Sequence, residues 1–290
     1  MPRIEIGGTS LEYAECGHGD PVVLVHGSAS DHRTWQSQLG EFGKRFHVIT
    51  YSRRYHWPNE RISASADYSM AEHVDDLHGL MRSLNVAPAH LVGSSYGAFL
   101  CLLLAVREPA VVRTLVLAEA PVLSLFVSTP PTPAEMLKLL VSRPSTALPI
   151  MKFGATGIVP ATKAIKRGEP ERAIRLFGTA VLGRDTYRRL SPARMEQVRA
   201  NFINAEILGS GFAALSPADV RRVQVPTLLL TGERSRVMFR RLTDRLAELL
   251  PGAERCAIPE ASHIMHEDNA PAYNAAVMGF LKRHSRQDVR

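Results

Sequence analysis

The residue type and spacing best able to support catalysis is a serine between two glycines. Residues 93–97 read Gly-Ser-Ser-Tyr-Gly and match the pattern G-x-S-x-G, with Ser95 at the centre. An apolar pair precedes this pattern and an apolar run, residues 98–105, follows it, so we predict a buried strand, a tight turn and a helix. In such a turn the serine hydroxyl stands clear of the sheet as a candidate nucleophile, and the N–H of Tyr96 at the helix start faces a developing oxyanion. The alternative is an ordinary Gly/Ser-rich loop, since the bare pattern is common.

A second pattern lies upstream, at the end of another apolar segment. Pro21–Val25 is a continuous run rich in valine, as expected of a strand buried on both faces, and it ends in His26-Gly27. An apolar strand that ends in His-Gly, followed later by G-x-S-x-G, resembles the α/β-hydrolase superfamily. The resemblance implies an α/β fold: a sheet of about eight mostly parallel strands flanked by helices, with a helical cap after the sixth strand. It also implies that the backbone N–H of Ser28 is a second oxyanion-hole donor, beside Tyr96.

The base that such a serine needs is sought among 11 histidines. A serine hydroxyl is a poor nucleophile at neutral pH, so an imidazole within hydrogen-bond reach must take its proton. In the superfamily that histidine follows the last strand, which is predicted here over Ala253–Ile258. The resemblance therefore selects His263, and His266 is the main alternative.

The position of the catalytic acid departs from the common pattern. Most members of the superfamily read Gly-Glu-x-Asp after the strand that ends here at residue 232, but Ser235 stands in the aspartate position of this chain. A subset, including some haloalkane dehalogenases and the zearalenone-lactonase-like enzymes, carries the acid after the strand that follows the serine turn. Glu119 stands there, and a carboxylate at a buried strand end needs a partner such as His263. We predict Glu119 as the acid, with Glu233, or no acid at all, as alternatives.

Four further residues are predicted to contact the substrate: His26 and Gly27 beside the nucleophile, and Tyr55 and Trp57 in the loop after the strand His47–Tyr51. Bulky aromatics stand in this loop where many superfamily members have glycine. One interpretation is that the loop narrows the mouth of the pocket, and the other is that it packs under its own aromatic rings.

The hydrolase core is predicted over residues 1–120 and 216–290, with a helical cap over 121–215. Helical pieces are predicted at Ala134–Leu140, Ile165–Leu182 and Arg194–Leu208. The cap holds 13 Lys and Arg against 6 Asp and Glu, which indicates either solvated helix faces or attraction of anionic substrates. We expect five apolar cap side chains to line a pocket above the nucleophile: Met136, Leu140, Phe153, Phe177 and Phe202.

Composition limits the other possibilities. The chain has 290 residues, a formal net charge of +7 and three widely spaced cysteines, which predict neither a disulfide framework nor a metal site. Its start, Met-Pro-Arg-Ile-Glu-Ile, has no apolar run and no stretch could span a membrane. We expect a cytoplasmic protein that binds a small-molecule substrate, without membrane or nucleic-acid partners. A homodimer is left open, and no cofactor is implied.

The identity of the candidate nucleophile limits the reactions that the chain is expected to catalyse. Haloalkane dehalogenases and epoxide hydrolases of this superfamily use aspartate at the position of Ser95, so both activities are disfavoured. Serine favours hydrolysis of an ester or lactone through an acyl-enzyme. A C–C bond hydrolase, a perhydrolase or a cofactor-free lyase or oxygenase on the same scaffold remains an alternative, because a fold does not determine its function. A non-catalytic ligand receptor is the alternative from another class.

Overall fold

One eight-stranded sheet runs through the centre of the molecule, with the strand order β1-β2-β4-β3-β5-β6-β7-β8. The computed structural model describes residues 1–63, 68–128, 130–202, 206 and 212–285. Strands β1 and β2 form an antiparallel hairpin, β2 pairs antiparallel with β4, and β3 to β8 are parallel. The strands are β1 (Arg3–Ile6), β2 (Thr9–Cys16), β3 (Pro21–Val25), β4 (His47–Tyr51), β5 (Ala89–Ser94), β6 (Val112–Ala118), β7 (Thr227–Gly232) and β8 (Glu254–Ile258).

Helices cover both faces of this sheet, which explains why the central strands read as continuous apolar runs. One face packs against α2 (Met70–Ser83) and α3 (Tyr96–Arg107), where Leu77 and Phe99 are fully buried. The other face packs against α1 (Gln36–Phe42) and the C-terminal helix, where Trp35 and Phe280 are buried. The two apolar layers hold the parallel strands in register and so align their carboxyl ends.

The chain between β6 and β7 is helical wherever the structure describes it as regular, and we call this segment the insertion. Its helices are α4 (Pro133–Ser142), α5 (Pro144–Phe153), α6 (Val159–Lys166), α7 (Pro170–Leu182), α8 (Arg184–Arg188), α9 (Pro192–Asn201) and α10 (Pro217–Arg221). After the insertion come α11 (Val237–Leu249), α12 (Met265–Asp268) and α13 (Ala270–Arg283). The predicted architecture is thereby confirmed, with about eight mostly parallel strands and helices inserted after the sixth.

The details of the insertion differ from the sequence-based expectation. Helices α5 and α6 were not predicted, because their prolines indicate breaks. Pro144 and Pro160 occupy first-turn positions, which tolerate proline, and Pro149 lies inside α5. The predicted helix over Ile165–Leu182 is divided at Gly168, which has a φ of +71°. The predicted helix Arg194–Leu208 begins earlier and ends at Asn201; its residues 203–205 and 207–208 lie outside the described residues.

The described residues also bear on the expectations for membrane-spanning helices and for disulfides. Within the described ranges, no helix is both long and apolar enough to cross a membrane. The three cysteines are free, and Cys101 is buried in α3.

Candidate active site

Ser95 lies in a strained turn between β5 and α3. Its φ of 51° and ψ of −119° fall where a residue with a side chain is rarely found. The flanking glycines are required by close packing, since a Cβ on Gly93 would lie 2.5 Å from Ala98 Cα and one on Gly97 would lie 2.2 Å from Val25 O. The Ser95 N–H donates to Ala118 O at 2.8 Å. The strand, turn and helix predicted around this serine are therefore present, and neighbouring strands hold the turn.

Glu119 and His263 lie together at the same edge of the sheet. Glu119 Oε2 is 2.5 Å from His263 Nδ1, and its other carboxylate oxygen, Oε1, accepts a hydrogen bond from the Gly232 N–H at 3.1 Å. The Glu119 side chain is fully buried and that of His263 is 4% exposed. In the neutral imidazole whose Nδ1–H donates to this carboxylate, Nε2 is the unprotonated nitrogen. Within the described part of the chain, that buried Nε2 has no hydrogen-bond partner.

The alternative acid and the alternative base point elsewhere. Glu233 is exposed, and its Oε2 accepts from the Glu260 N–H at 3.0 Å. His266 is fixed by a hydrogen bond of 2.9 Å between its Nε2 and Thr34 Oγ1, and its ring lies 4.4 Å from that of Trp35. Burial lowers the pKa of His266 to about 4. Of the four candidates, the structure brings together Glu119 and His263.

An aromatic ring covers the His263 imidazole, and sequence reasoning missed it. The Phe239 ring stacks on His263 with centroids 3.9 Å apart and an interplanar angle of 24°. Phe239 lies in the first turn of α11 and in turn contacts Phe153 of the insertion, with ring centroids 6.1 Å apart. The only sequence signal was an apolar position at a helix start, which is typical of any core residue.

The His26–Ser28 loop lies directly against the turn that carries Ser95. A Cβ added to Gly27 would lie 3.2 Å from Ser95 Cβ, so the backbone here passes close to the serine. The fully buried His26 ring accepts the Arg53 N–H on Nε2 at 2.9 Å, and its Nδ1–H donates to Gly27 O at 2.8 Å. The substrate contact predicted for His26 stays a prediction; what the structure shows is that both ring nitrogens bond backbone and hold the loop that carries Ser28.

Tyr55 and Trp57, the other predicted substrate contacts, occupy different environments. Tyr55 has a φ of 67°, packs partly buried against the core and lies 6.1 Å from the Tyr68 ring. Trp57 is 41% exposed, with the Arg33 guanidinium 3.7 Å above its ring. Its backbone N–H donates to Asn201 of the insertion at 2.7 Å. The loop therefore meets the insertion through Trp57 and the core through Tyr55.

A buried arginine, Arg53, lies beneath this loop and was also missed. Its guanidinium is 1% exposed and donates to Gly27 O at 3.2 Å, Tyr68 Oη at 2.9 Å and Glu206 Oε1 at 2.6 Å. Burial raises the pKa of Glu206, but the charges of Arg53 and His56, together with the hydrogen bonds that both donate, outweigh burial and lower this pKa to about 2. The two side chains are therefore an ion pair across the whole physiological pH range.

The insertion contacts the core through polar side chains of α9, and we call this contact the seam. Asp31 is fully buried and accepts from Gln197 at 2.9 Å and from Asn201 at 2.6 Å. Arg194 bonds Glu267 at 3.0 Å and Ala29 O at 3.2 Å. Burial raises the pKa of Asp31, but hydrogen bonds from Arg33 and Gln197 leave it below its ordinary value.

The five apolar side chains expected to line the pocket separate into two groups. Met136, Leu140 and Phe153 join a cluster with Phe239, the residue that covers His263. Phe177 and Phe202 lie 6.1 Å apart, packed against three alanines of α6 and α7. These two differ from the expectation because the helices α6 and α7 need a small core of their own.

The described residues contain no group of three or more His, Cys, Asp or Glu side chains placed to hold a metal ion.

Comparison with known proteins agrees with this architecture. The model of the Alpha/beta hydrolase family matches residues 22–276. The uncharacterized hydrolase YraK of Bacillus subtilis is 30% identical over 42% of this chain, a match that spans 45% of YraK. The putative carbamate hydrolase RutD of Yersinia enterocolitica is 28% identical over 90% of this chain and 86% of RutD. Among solved structures, carboxylesterase CesB of Bacillus subtilis has a TM-score of 0.71 and 19% identity, covering 96% of this chain and 90% of CesB.

Proposed function

Because this chain belongs to the alpha/beta hydrolase family, we propose that it is a serine hydrolase acting through an acyl-enzyme. Its substrate is a small-to-medium, largely apolar carboxylic ester or lactone. The observation that carries the proposal is the contact of 2.5 Å between His263 Nδ1 and Glu119 Oε2. This contact leaves Nε2 as the basic nitrogen, which is the state required to accept a proton from a serine hydroxyl.

In this mechanism Ser95 Oγ attacks the substrate carbonyl while His263 Nε2 takes its proton. The imidazolium formed in this step is stabilised by the Glu119 carboxylate, which is itself held by the Gly232 N–H. His263 then protonates the leaving alcohol, and a water molecule, activated by the same nitrogen, hydrolyses the acyl-enzyme. The positive φ of Ser95 supports this role, because backbone strain of this kind is concentrated at functional sites.

The negative charge that develops on the carbonyl oxygen needs donors, and the backbone N–H groups of Ser28 and Tyr96 are proposed to supply them. Tyr96 is the first residue of α3, so its N–H is one of the donors that a helix start leaves without an intrahelical partner. Ser28 follows Gly27, whose backbone lies against Ser95. Both donors thus belong to segments in contact with the nucleophile.

The substrate class follows from what surrounds the base. His263 is covered by Phe239, which belongs to an apolar cluster with Leu242 and several residues of the insertion. An apolar acyl or lactone group gains about 25 cal/mol per Å² of surface that it buries against such a wall. The relative described as a putative carbamate hydrolase supports cleavage of an acyl-type bond.

The test is turnover of p-nitrophenyl acetate and butyrate, a lactone panel, and labelling of Ser95 by a fluorophosphonate. Ser95→Ala and His263→Ala should each lower kcat by roughly 10³–10⁶-fold, and the double variant should be little worse than either alone. Ser94→Ala, which removes the neighbouring hydroxyl of the same motif, is the matched control and should keep most of the activity. Near-normal turnover in Ser95→Ala would exclude the serine mechanism.

A further inference from the structure

The peptide group between Gly27 and Ser28 is held from its carbonyl side by two donors. Gly27 O accepts from His26 Nδ1 at 2.8 Å and from Arg53 Nη2 at 3.2 Å. In a trans peptide the C=O and the following N–H lie in one plane and point in opposite directions. Whatever fixes the Gly27 carbonyl therefore also fixes the direction of the Ser28 N–H.

The same guanidinium contacts the residue that carries the other proposed donor. The Arg53 Cζ lies 4.4 Å from the centroid of the Tyr96 ring, within the range of a cation–π interaction. Arg53 thus touches the peptide that ends in Ser28 N–H on one side and the side chain of Tyr96 on the other.

Arg53 is itself rigidly placed. It is 1% exposed, and besides Glu206 and Tyr68 it lies 3.0 Å from His56 Nε2 through Nη2. Its guanidinium faces buried partners rather than solvent, namely the Glu206 carboxylate and the Gly27 carbonyl among others. A hydrogen bond from a charged donor to C=O strengthens the donor capacity of the N–H in the same peptide. This arrangement indicates that Arg53 orients and strengthens the Ser28 N–H as a hydrogen-bond donor, rather than only filling space in the core.

We propose that Arg53 is a positioning residue of the oxyanion hole, acting through the Gly27 carbonyl on the Ser28 N–H and through the Tyr96 ring on α3. The inference depends on the serine mechanism proposed above. Arg53 needs no contact with the substrate in this role, and its effect is confined to the stage at which negative charge develops on the carbonyl oxygen.

The test compares two buried ion pairs whose arginines, Arg53 and Arg54, are neighbours in sequence. Arg53→Met/Glu206→Gln removes the guanidinium without leaving an unpaired buried carboxylate. Arg54→Met/Asp76→Asn is the matched control, because Arg54 also forms a buried pair, with two bonds of 2.6 Å to Asp76, but contacts neither Gly27 nor Tyr96 among the described contacts. The readouts are kcat and KM for p-nitrophenyl butyrate, the rate of fluorophosphonate labelling of Ser95, and the pH profile of kcat.

We expect the Arg53 pair variant to lower kcat and the labelling rate by roughly 10–100-fold, somewhat less than complete loss of an oxyanion donor. KM should change by less than about threefold, since ground-state binding does not use the charge of the oxyanion. The acid limb of the pH profile should stay in place, because the contact between His263 and Glu119 is intact. The Arg54 pair variant should be less stable but should keep kcat within about twofold.

The outcomes separate this inference from the proposed function. Wild-type protein with neither ester turnover nor labelling would overturn both. If the wild-type protein is active, two outcomes would overturn the inference alone. One is an Arg53 pair variant with unchanged rates, and the other is an Arg54 pair variant that loses as much activity as the Arg53 pair variant. If the double variant does not fold, Arg53→Lys decides: its single ammonium cannot span Gly27 O, Tyr68 and Glu206 together, so an unchanged labelling rate would also refute the positioning role.

Discussion

The carboxyl edge of the sheet and the seam of the insertion are built from different kinds of contact. At the edge, Ser95 and Glu119 both have positive φ values, 51° and 49°, and both donate their backbone N–H to the neighbouring strand, to Ala118 O at 2.8 Å and Leu230 O at 3.2 Å. At the seam, Asp31 is held by the side-chain amides of Gln197 and Asn201. One region is positioned by main chain and the other by side chains.

Because the two regions are held by different contacts, substitutions should affect the candidate catalytic residues and the entry of substrate separately. Backbone bonds at a strand end do not depend on the identity of the side chains, so Ser95 and Glu119 keep their places while neighbouring residues vary. Side-chain amides at a seam are lost with a single substitution. We therefore expect substitutions at the edge to act on kcat, and substitutions at the seam to act on stability and on substrate entry.

The largest effect among the remaining tests should come from the acid. Glu119→Gln keeps an oxygen that can accept from the Gly232 N–H, but it removes the charge that stabilises the His263 imidazolium, so kcat should fall by roughly 10²–10⁴-fold. Glu233→Gln is the control and should change kcat far less. Adding Ser235→Asp to Glu119→Gln should restore part of the rate, because it returns an acid to the more common strand. If Glu233→Gln were the more damaging change, the assignment of the acid would be wrong.

Acid pH should weaken the core before the seam. Burial lowers the pKa of His26 and His73 well below the ordinary 6.5 and that of His90 to about 4. At a pH between the folded and unfolded pKa of such an imidazole, the unfolded chain binds more protons than the folded chain. The free energy of unfolding should therefore fall as the pH drops below 6.5, by about 3 kcal/mol for His90 alone at pH 4. Asp31 has its pKa lowered from 3.8 and stays charged there.

The measurement is urea unfolding at pH 7.5, 6 and 5, with His90→Gln as the comparison variant. Removing the imidazole should flatten the pH dependence of the free energy of unfolding in this interval. A curve that is the same in His90→Gln and in the unchanged chain would assign the pH dependence to other groups.

A smaller effect is expected at the seam. Asn201→Ala removes one donor to the buried Asp31 carboxylate and the acceptor of the Trp57 N–H, and unmade hydrogen bonds of this kind destabilise by about 1–3 kcal/mol. Because the edge is untouched, kcat for p-nitrophenyl acetate should stay within about threefold. Gln224→Ala, an exposed amide that bonds a backbone carbonyl, is the matched control for the free energy of unfolding. A large fall in kcat without loss of stability would show that seam and edge are coupled.

The smallest effect should come from the ring over the base. Phe239→Leu keeps most of the apolar volume but loses the aromatic face that stacks on His263, a contact of about 0.5–2 kcal/mol when the imidazole is charged. We expect kcat to fall by roughly 3–30-fold with little change in KM. Phe153→Leu changes a ring that contacts Phe239 and not, among the described ring contacts, His263, so it should have a weaker effect on kcat. Equal effects of the two substitutions would indicate general packing rather than a contact specific to the base.

Local patterns were sufficient for the sheet and for the candidate nucleophile. The central strands read directly as apolar runs because both faces of the sheet are covered there, and the turn at Ser95 was predicted because both of its glycines lie two residues from the serine. The hypothesis that Glu119 meets His263 came from a family resemblance, and the structure places the two side chains 2.5 Å apart. The choice between Glu119 and Glu233 required the structure, which shows which of the two carboxylates is buried.

Other features could not be predicted because they join distant parts of the chain through side-chain packing. Arg53 and Glu206 are 153 residues apart, and Asp31 and Asn201 are 170 apart. No periodicity or motif marks either pair, and a charged residue in a loop is ordinarily expected to be solvated. The stacking of Phe239 on His263 likewise depends on how α11 packs after β7, which no local pattern specifies.

The hydrogen bond from Gly232 N–H to Glu119 also closes a long loop, since the two residues are 113 positions apart. The parallel ladder between β6 and β7, which pairs Ala118 with Leu230, brings the two ends of the insertion together at the same place. The entropy of closing a loop grows only slowly with its length, about 0.6 kcal/mol for each doubling. In evolution the insertion can therefore lengthen, shorten or be replaced with little penalty to the sheet, while Glu119 and the strand end that supports it stay in register.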